Sequence, residues 1–483
     1  MIKTPDWVKN AVFYQIFPDR FARGKANIKE HWEATKYEEW DATPTLQGYK
    51  GGNLWGVIDK LDYLKDLGIN AIYFTPIFQS ACNHRYHTHD YYQIDPILGG
   101  NIAFDALIKA AHQQDIKIVL DGVFNHASRG FFFFNDILEN GPHSPWLDWF
   151  KIDGWPLSAY DGSKPANYES WMGNRSLPEF NHDNPQVKEY IMQIAEYWLL
   201  QGIDGWRLDV PNEIDTPGFW QEFRLRVKAV NPEAYIVGEI WQDASYWLDG
   251  DQFDGVMNYP FAEATIAFAG GDNYQQKYCQ HGLIPYPPIS AVEYAIKIEE
   301  LLKLYNWEIQ LAQLNLLDNH DTPRMFTTVG EDKNSFILAT LLLMTFPGAP
   351  SIFYGNEVGL TGGKDPDCRR VFPDAANWDV EILKVHKELI AVRHQYPSLR
   401  TGTYKTLYAD QYLYVFARIL EQEELIIAVN NNSDPITASF VVTDLKSQPQ
   451  NLVYGSGRLT WHDTFKDQKL EMTLPAHGSM IVA

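Results

Sequence analysis

KIVLDGVFNH (117–126) runs through aliphatic residues to a polar ending that holds Asp121, Asn125 and His126. It is short for a helix and too apolar for a strand wetted on one face, so it reads as a strand buried on both sides of a parallel sheet. Seven more runs share this texture: AVFYQIFP (11–18), NAIYFTPIF (70–78), IDGWRLDV (203–210), YIVGEIW (235–241), FDGVMNYP (253–260), QLNLLDNH (313–320) and APSIFYGNE (349–357). Amphipathic helices lie between several of them. In 53–68, Leu54, Val57, Ile58, Leu61, Leu64 and Leu67 recur at helical spacing before a capping Gly68. In 184–202, Asn184 suits the N-cap and Pro185 the first turn. Eight strands alternating with helices predict an α/β chain built on a (β/α)8 TIM barrel. An open doubly wound sheet is the weaker alternative, because no G-x-G-x-x-G or Walker loop follows a strand.

Working outward, residues 127–183 are too many for an ordinary loop and are rich in aromatics, Gly, Pro and Asn. They read as an inserted domain after the third strand. After the helix at 382–395 the texture turns to alternating runs broken by turn residues, which predicts a C-terminal antiparallel β-sandwich. The expected domains are a barrel over 1–126 and 184–396, an insertion over 127–183 and a sandwich over 397–483.

Composition narrows the function. The 483 residues carry 40 Lys and Arg against 62 Asp and Glu, a net charge of −22, which argues against nucleic acid or an anionic membrane as partner. The 16 Trp suit burial and also suit stacking on sugar rings. Cys82, Cys279 and Cys368 are too sparse for a disulfide framework, and the N-terminus lacks a signal-peptide core, so the cytoplasm is the expected compartment.

In a (β/α)8 barrel the C-terminal strand ends share one mouth. Here they bring Asp121, Asn125, His126, Arg207, Asp209, Glu239, His320, Asp321 and Glu357. Taken singly, Asp321 reads best as a cap, His126 as an ordinary hydrogen bonder, and Asp95, Asp105 and Glu222 as solvated. Together, several acids with one Arg carry a repulsion that stability alone would not select. Paired carboxyls, one protonated and one ionised, are the apparatus of glycoside hydrolysis. The rival is a metal-dependent hydrolase, and His87-x-His89 is its strongest feature. That pair lies in a loop flanked by tyrosines, so no residue is assigned as a metal ligand.

DGVFNH (121–126), GWRLDVPNE (205–213), GEIW (238–241) and LLDNHDTPR (316–324) resemble the four conserved regions of the α-amylase family, glycoside hydrolase family 13, and LPEFN (177–181) resembles its fifth. VPNE, LPEFN and GGKDPDCRR (362–370) are most similar to the neopullulanase, cyclomaltodextrinase and maltogenic amylase branch. The resemblance implies Asp209 as nucleophile, Glu239 as general acid and base, and Asp321 as a binder of the distorted sugar's hydroxyls. It implies that Arg207 keeps Asp209 ionised, that His126 and His320 bind the same hydroxyls, and that Tyr86 is the stacking platform. Asp365 and Arg369 would hold the next sugar on the non-reducing side, and Asn212, Glu213 and Trp241 would lie toward the leaving group. Glu357 is taken as a further substrate contact at the eighth strand end.

The implied substrate is an α-glucan: malto-oligosaccharides, branched oligosaccharides, cyclodextrins or pullulan, cut at α-1,4 links and at α-1,6 branch points. A transglycosylase and a non-catalytic sugar binder stay open as alternatives. No cofactor is required. The loop after PDRF, ARGKANIKEH (22–31), offers Lys, Arg and His where calcium needs oxygen, and Asn53 stands where Asp is common in the family, so calcium is expected to be absent there or weakly bound. Relatives in this branch dimerise through an extra N-terminal domain. Here the first strand lies near Met1, so any homodimer is expected to use another face.

Overall fold

The computed structural model describes residues 2–24, 36–278, 288–463 and 468–483; Cys279 and most of the 22–31 loop lie outside them. Among the described residues, ten strands precede the C-terminal region: β1 Phe13–Ile16, β2 Ala71–Phe74, β3 Phe78–Ser80, β4 Thr88–Ile94, β5 Lys117–Gly122, β6 Gly205–Leu208, β7 Tyr235–Gly238, β8 Gly255–Asn258, β9 Leu314–Asn315 and β10 Ala349–Phe353. Eight close a parallel barrel in the order β1-β10-β9-β8-β7-β6-β5-β2, and each coincides with one of the eight apolar runs. The other two, β3 and β4, form a hairpin beyond β2.

Side-chain alternation sorts each barrel strand into two environments. Phe13, Ala71, Tyr73, Val119, Tyr235, Val237, Met257, Leu314 and Ala349 form an inner cluster. Tyr14, Ile72, Phe74, Ile118, Leu120, Trp206, Leu208, Ile236 and Ile352 pack into the large outer core that also takes in the helices. Gly205 leaves room for β7: a Cβ there would sit 2.4 Å from the Tyr235 carbonyl oxygen.

The helix expected over 53–68 is two helices, Leu54–Asp59 and Leu61–Leu67, meeting at Lys60. Asn53 caps the first by accepting from the Gly56 amide, and Gly68 ends the second at φ 97°. The Asn53 amide also bonds both ways with the Gly24 backbone, donating to its carbonyl at 3.2 Å and accepting from its amide at 3.1 Å. An Asp lacks the N–H for the first of these bonds. Helix Pro185–Leu200 starts as its cap predicts, with Asn184 accepting from the Gln186 amide. Asp95 is a correction: it is buried, ion-paired with Arg85 at 2.9 Å and capping the turn that follows it.

In 127–183 the long regular element is helix Phe132–Asn140. The segment is tied to the barrel by an isolated bridge from His126 to Glu179, and a second bridge, Phe150 to Phe180, closes it on itself. After helix Val380–Gln395 come β11 Thr403–Ala409, β12 Leu413–Leu420, β13 Glu423–Asn430, β14 Ile436–Val442, β15 Leu452–Gly455, β16 Arg458–Asp463, β17 Gln468–Leu474 and β18 Ser479–Val482. They make a five-stranded sheet, β11-β12-β13-β18-β15, and a three-stranded one, β14-β17-β16. Leu413, Val415 and Ile426 of the first pack with Phe440, Leu470 and Met472 of the second. No helix among the described residues is long and apolar enough to cross a membrane.

Two buried arginines join sandwich to barrel. Arg418 on β12 donates to the carbonyls of Thr345, Leu399 and Gly402 at 2.5, 2.8 and 2.9 Å. Arg393, on helix Val380–Gln395, donates to the barrel carbonyls of Met344 and Phe346 at 2.9 and 3.2 Å and reaches across to Leu399 O at 3.2 Å. Burial pulls Arg418 down to about 9. Replacing it by Met strips three or more carbonyls of their donor and is expected to cost about 2–5 kcal/mol. A melting curve checks this, with turnover per folded molecule expected to stay unchanged.

Candidate active site

The inward-facing positions turn polar toward the C-terminal ends of the strands. Asp121 pairs in register with Arg207, and Arg207 with Val237. Asp209 and Glu239 each lie two residues further along their own chain segments, so parity sends them to the same side. Backbone bonds hold both ends: Asp209 N–H donates to Gly122 O at 3.1 Å and Glu239 N–H to Leu208 O at 2.9 Å. Val210, next after Asp209, has left-handed backbone (φ 37°, ψ 50°), a conformation that costs energy for a β-branched residue.

Arg207 is fully buried and is the hub. Its Nη1 meets Asp121 Oδ1 and Asp209 Oδ1, both at 2.9 Å, and its Nη2 meets Glu239 Oε2 at 3.0 Å. Asp121 also accepts from Tyr73 and Tyr86 hydroxyls at 3.0 and 2.9 Å. Glu239 accepts from the Val210 amide at 3.3 Å, from Trp241 Nε1 at 3.2 Å and from Tyr259 Oη at 3.4 Å.

A second branch reaches Asp321. Gln15 donates its amide to His320 Nδ1 at 2.8 Å, which leaves the proton on Nε2. That nitrogen lies 2.6 Å from Tyr86 Oη and 3.2 Å from Asp321 Oδ2. Burial pushes His320 down to about 3, so the ring is neutral. Arg369 contacts Asp321 Oδ1 at 3.2 Å and Asp365 Oδ1 at 3.0 Å. Asn319 closes the loop, donating to Tyr259 Oη at 2.7 Å and accepting from the Asp321 amide at 2.9 Å.

One guanidinium thus serves three buried carboxyls. Burial raises Asp209 well above the ordinary carboxylate range; Arg207 opposes it, while Glu239 and Asp121 add to it. Arg207 is the opposing influence that favours the ionised form of Asp209 against that burial. Burial raises Glu239 too, against Arg207 and with Asp321 and Asp121. Asp321 moves the other way: burial resists ionisation, but His320, Arg369 and Arg207 outweigh it. Its side chain is 34% exposed, against 9% for Asp209 and 5% for Glu239, so of these three carboxyls Asp321 is the most open to a solute.

Most of the anticipated residues meet in this network: Asp209, Glu239, Asp321, Arg207, Tyr86, His320, Trp241, Asp365 and Arg369. His126 stands at its edge, with its ring 5.5 Å from that of Trp171 in the inserted segment. Asn212 donates to Glu213 at 3.1 Å on an exposed turn, and neither touches the carboxyl cluster. Glu357 is a correction. It is fully buried behind the barrel wall, where Tyr14 and Tyr63 hydroxyls donate to one of its oxygens at 2.7 and 2.8 Å, so it ties strand to helix and is not a substrate contact. Of His87-x-His89, the second ring packs against Gly130, where an added Cβ would lie 2.5 Å from its Nε2.

Sequence reading missed Gln15, Tyr73, Tyr259 and Asn319. Gln15 left a signal, a lone amide within an apolar strand; the tyrosines were indistinguishable from core. Trp241 stacks on Tyr259 at 4.1 Å and 10°. The two share an apolar hollow with Ala262, Ile266, Tyr278 and Pro323 beside Glu239.

Residues 15–393 match the α-amylase catalytic domain and residues 402–482 the α-amylase C-terminal domain. Neopullulanase 2 of Thermoactinomyces vulgaris is 41% identical, over 99% of this chain and 78% of its own length. Among solved structures, a debranching enzyme from Nostoc punctiforme superposes with a TM-score of 0.94 at 64% identity, covering all of both chains. A cyclic α-maltosyl-(1→6)-maltose hydrolase from Arthrobacter globiformis does so with a TM-score of 0.86 at 33% identity, again over the whole of both. With its carboxyl cluster at the barrel mouth and both domains matched, the chain belongs to the α-amylase family of glycoside hydrolases.

Proposed function

We propose that this glycosidase cleaves α-glucosidic bonds with retention of anomeric configuration, acting on α-1,6 branch points as well as α-1,4 links of malto-oligosaccharides and related α-glucans. The observation that carries the reading is Arg207 holding Asp209 and Glu239 on adjacent nitrogens of one guanidinium. Retaining chemistry requires two carboxyls about 5–5.5 Å apart. The names of the debranching enzyme and of the (1→6)-maltose hydrolase support the branch-point part.

In the first step Asp209 attacks the anomeric carbon as the glycosidic C–O bond breaks, and Glu239 passes its proton to the departing oxygen. In the second, the Glu239 carboxylate takes a proton from water, whose oxygen displaces Asp209 and restores both side chains. Burial with one shared cation makes the cluster retain a proton, which Glu239 holds when a glycosidic oxygen is seated against it. Asp321, the accessible carboxylate, accepts hydroxyls of the distorted ring, while Arg369 and Asp365 bind the neighbouring sugar. Tyr86, held by Asp121 and His320, presents its ring face to the pyranose. Trp241 and Tyr259 form an apolar floor for the leaving sugar. The steps draw every proton from Glu239 and water, so a chelator is expected to leave turnover intact.

Glu239→Gln is expected to lower kcat by about 10³-fold or more with the fold unchanged, read as reducing sugar released from maltohexaose. Digestion of matched linear and 6-O-branched malto-oligosaccharides, with products separated, should show side chains released from the branched set; no such release would remove the branch-point reading and leave α-1,4 cleavage. Trp241→Phe keeps the stack on Tyr259 but deletes an N–H that favours the ionised form of Glu239. Its loss raises the acid's pKa, so the alkaline limb of the kcat/KM profile should move to higher pH.

A further inference from the structure

Cys82 and His84 stand in the turn joining β3 to β4, and His87 immediately precedes β4. One donor atom from each lies within 4.8 Å of the other two. Cys82 Sγ is 3.5 Å from His84 Nδ1, and the two imidazole rings meet edge to face at 5.2 Å. The geometry points to a binding site for a borderline-soft divalent cation, of the zinc or cobalt type, formed by Cys82, His84 and His87 at the lip of the active site.

Bond lengths of 2.3 Å to thiolate and 2.0–2.1 Å to imidazole imply a ligand-to-ligand separation of about 3.5 Å around a tetrahedral ion. The Cys82–His84 pair already has that spacing, and the third donor needs a shift of roughly 1 Å. One sulfur and two nitrogens suit zinc or cobalt and disfavour calcium or magnesium. All three side chains are half-buried, so water can fill the fourth position. Burial drops His87 to about 4 and His84 well below the usual histidine value, so both rings keep a lone pair at neutral pH.

The turn is held independently of any ion. Ser80 Oγ donates to His87 O at 2.7 Å, Asn83 donates to Leu46 and Gly48 carbonyls at 3.0 and 2.8 Å, and buried Arg85 pairs with Asp95. The contact competing for His84 Nδ1 is a long hydrogen bond from the Tyr86 amide, 3.3 Å. The site also borders the carboxyl network, since the His84 ring lies 5.7 Å from that of Tyr86. Drawing His84 onto a cation loosens that amide contact and disturbs Tyr86, so occupancy is expected to lower turnover. This last part rests on the proposed function; the binding itself does not.

The test titrates the full chain, stripped with chelator and kept reduced by a phosphine, with Co²⁺. Expected are one ion per chain, visible bands of tetrahedral Co²⁺ and a sulfur-to-cobalt charge-transfer band, all displaced by Zn²⁺. Cys82→Ser should abolish the charge-transfer band, and His87→Asn should weaken binding at least tenfold, with melting curves confirming that both variants fold. No charge-transfer band in wild type, or unchanged binding in either variant, overturns the site. Zn²⁺ at saturation should lower turnover of a branched malto-oligosaccharide several-fold in wild type and leave Cys82→Ser unaffected. Binding without an effect on turnover overturns the link to Tyr86, whereas cobalt spectra from a chain inactive on every α-glucan count against the functional reading and not against the site.

Discussion

Arg207 is the constraint around which the catalytic face is arranged. Three carboxyls are buried against its two terminal nitrogens, and its third nitrogen meets the Met257 sulfur at 3.4 Å. Without that cation the mouth would hold three like groups in a poorly solvated space, a configuration that neutralises itself by taking up protons. With it, the charge is only partly matched. The shortfall is useful, because acid catalysis needs a carboxyl that keeps a proton near neutrality while its neighbour can ionise.

The second constraint is a rigid surround of neutral donors. Gln15 orients His320, which contacts Tyr86 and Asp321, while Asn319 links the Asp321 amide to Tyr259 and so to Glu239. These bonds aim the catalytic oxygens before substrate arrives. The strain at Val210 fits the same pattern, since a costly backbone conformation persists only where surrounding contacts over-determine it.

How much was legible in the sequence follows from periodicity. The eight barrel strands were readable because each is a short apolar run, buried on both faces, ending in polar residues. The carboxyls were readable because an acid at the end of such a run is out of place in a core. Glu357 met the same criterion and was misread: its strand ends likewise, but the chain then turns so that the carboxylate faces Tyr14 and Tyr63 behind the wall. Asp95 failed for a related reason, its partner Arg85 being visible only once the hairpin is folded. Tyr259 and Tyr73 were invisible because a tyrosine that orients a catalyst has the same sequence appearance as one that fills space. The break at Lys60 left no trace, since apolar spacing runs through it unaltered.

The carbonyl-held arginines bear on how this enzyme can be taken apart. A guanidinium satisfied by backbone oxygens of another region is not a patch that a new surface residue can mimic; it must find those same carbonyls at those same positions. Severing the β-sandwich would leave Arg418 without Thr345, and the barrel's Thr345 without Arg418. The sandwich is therefore better regarded as a buttress than as an appended module. Shuffling it among relatives should succeed only when the donor and recipient preserve both halves of this junction.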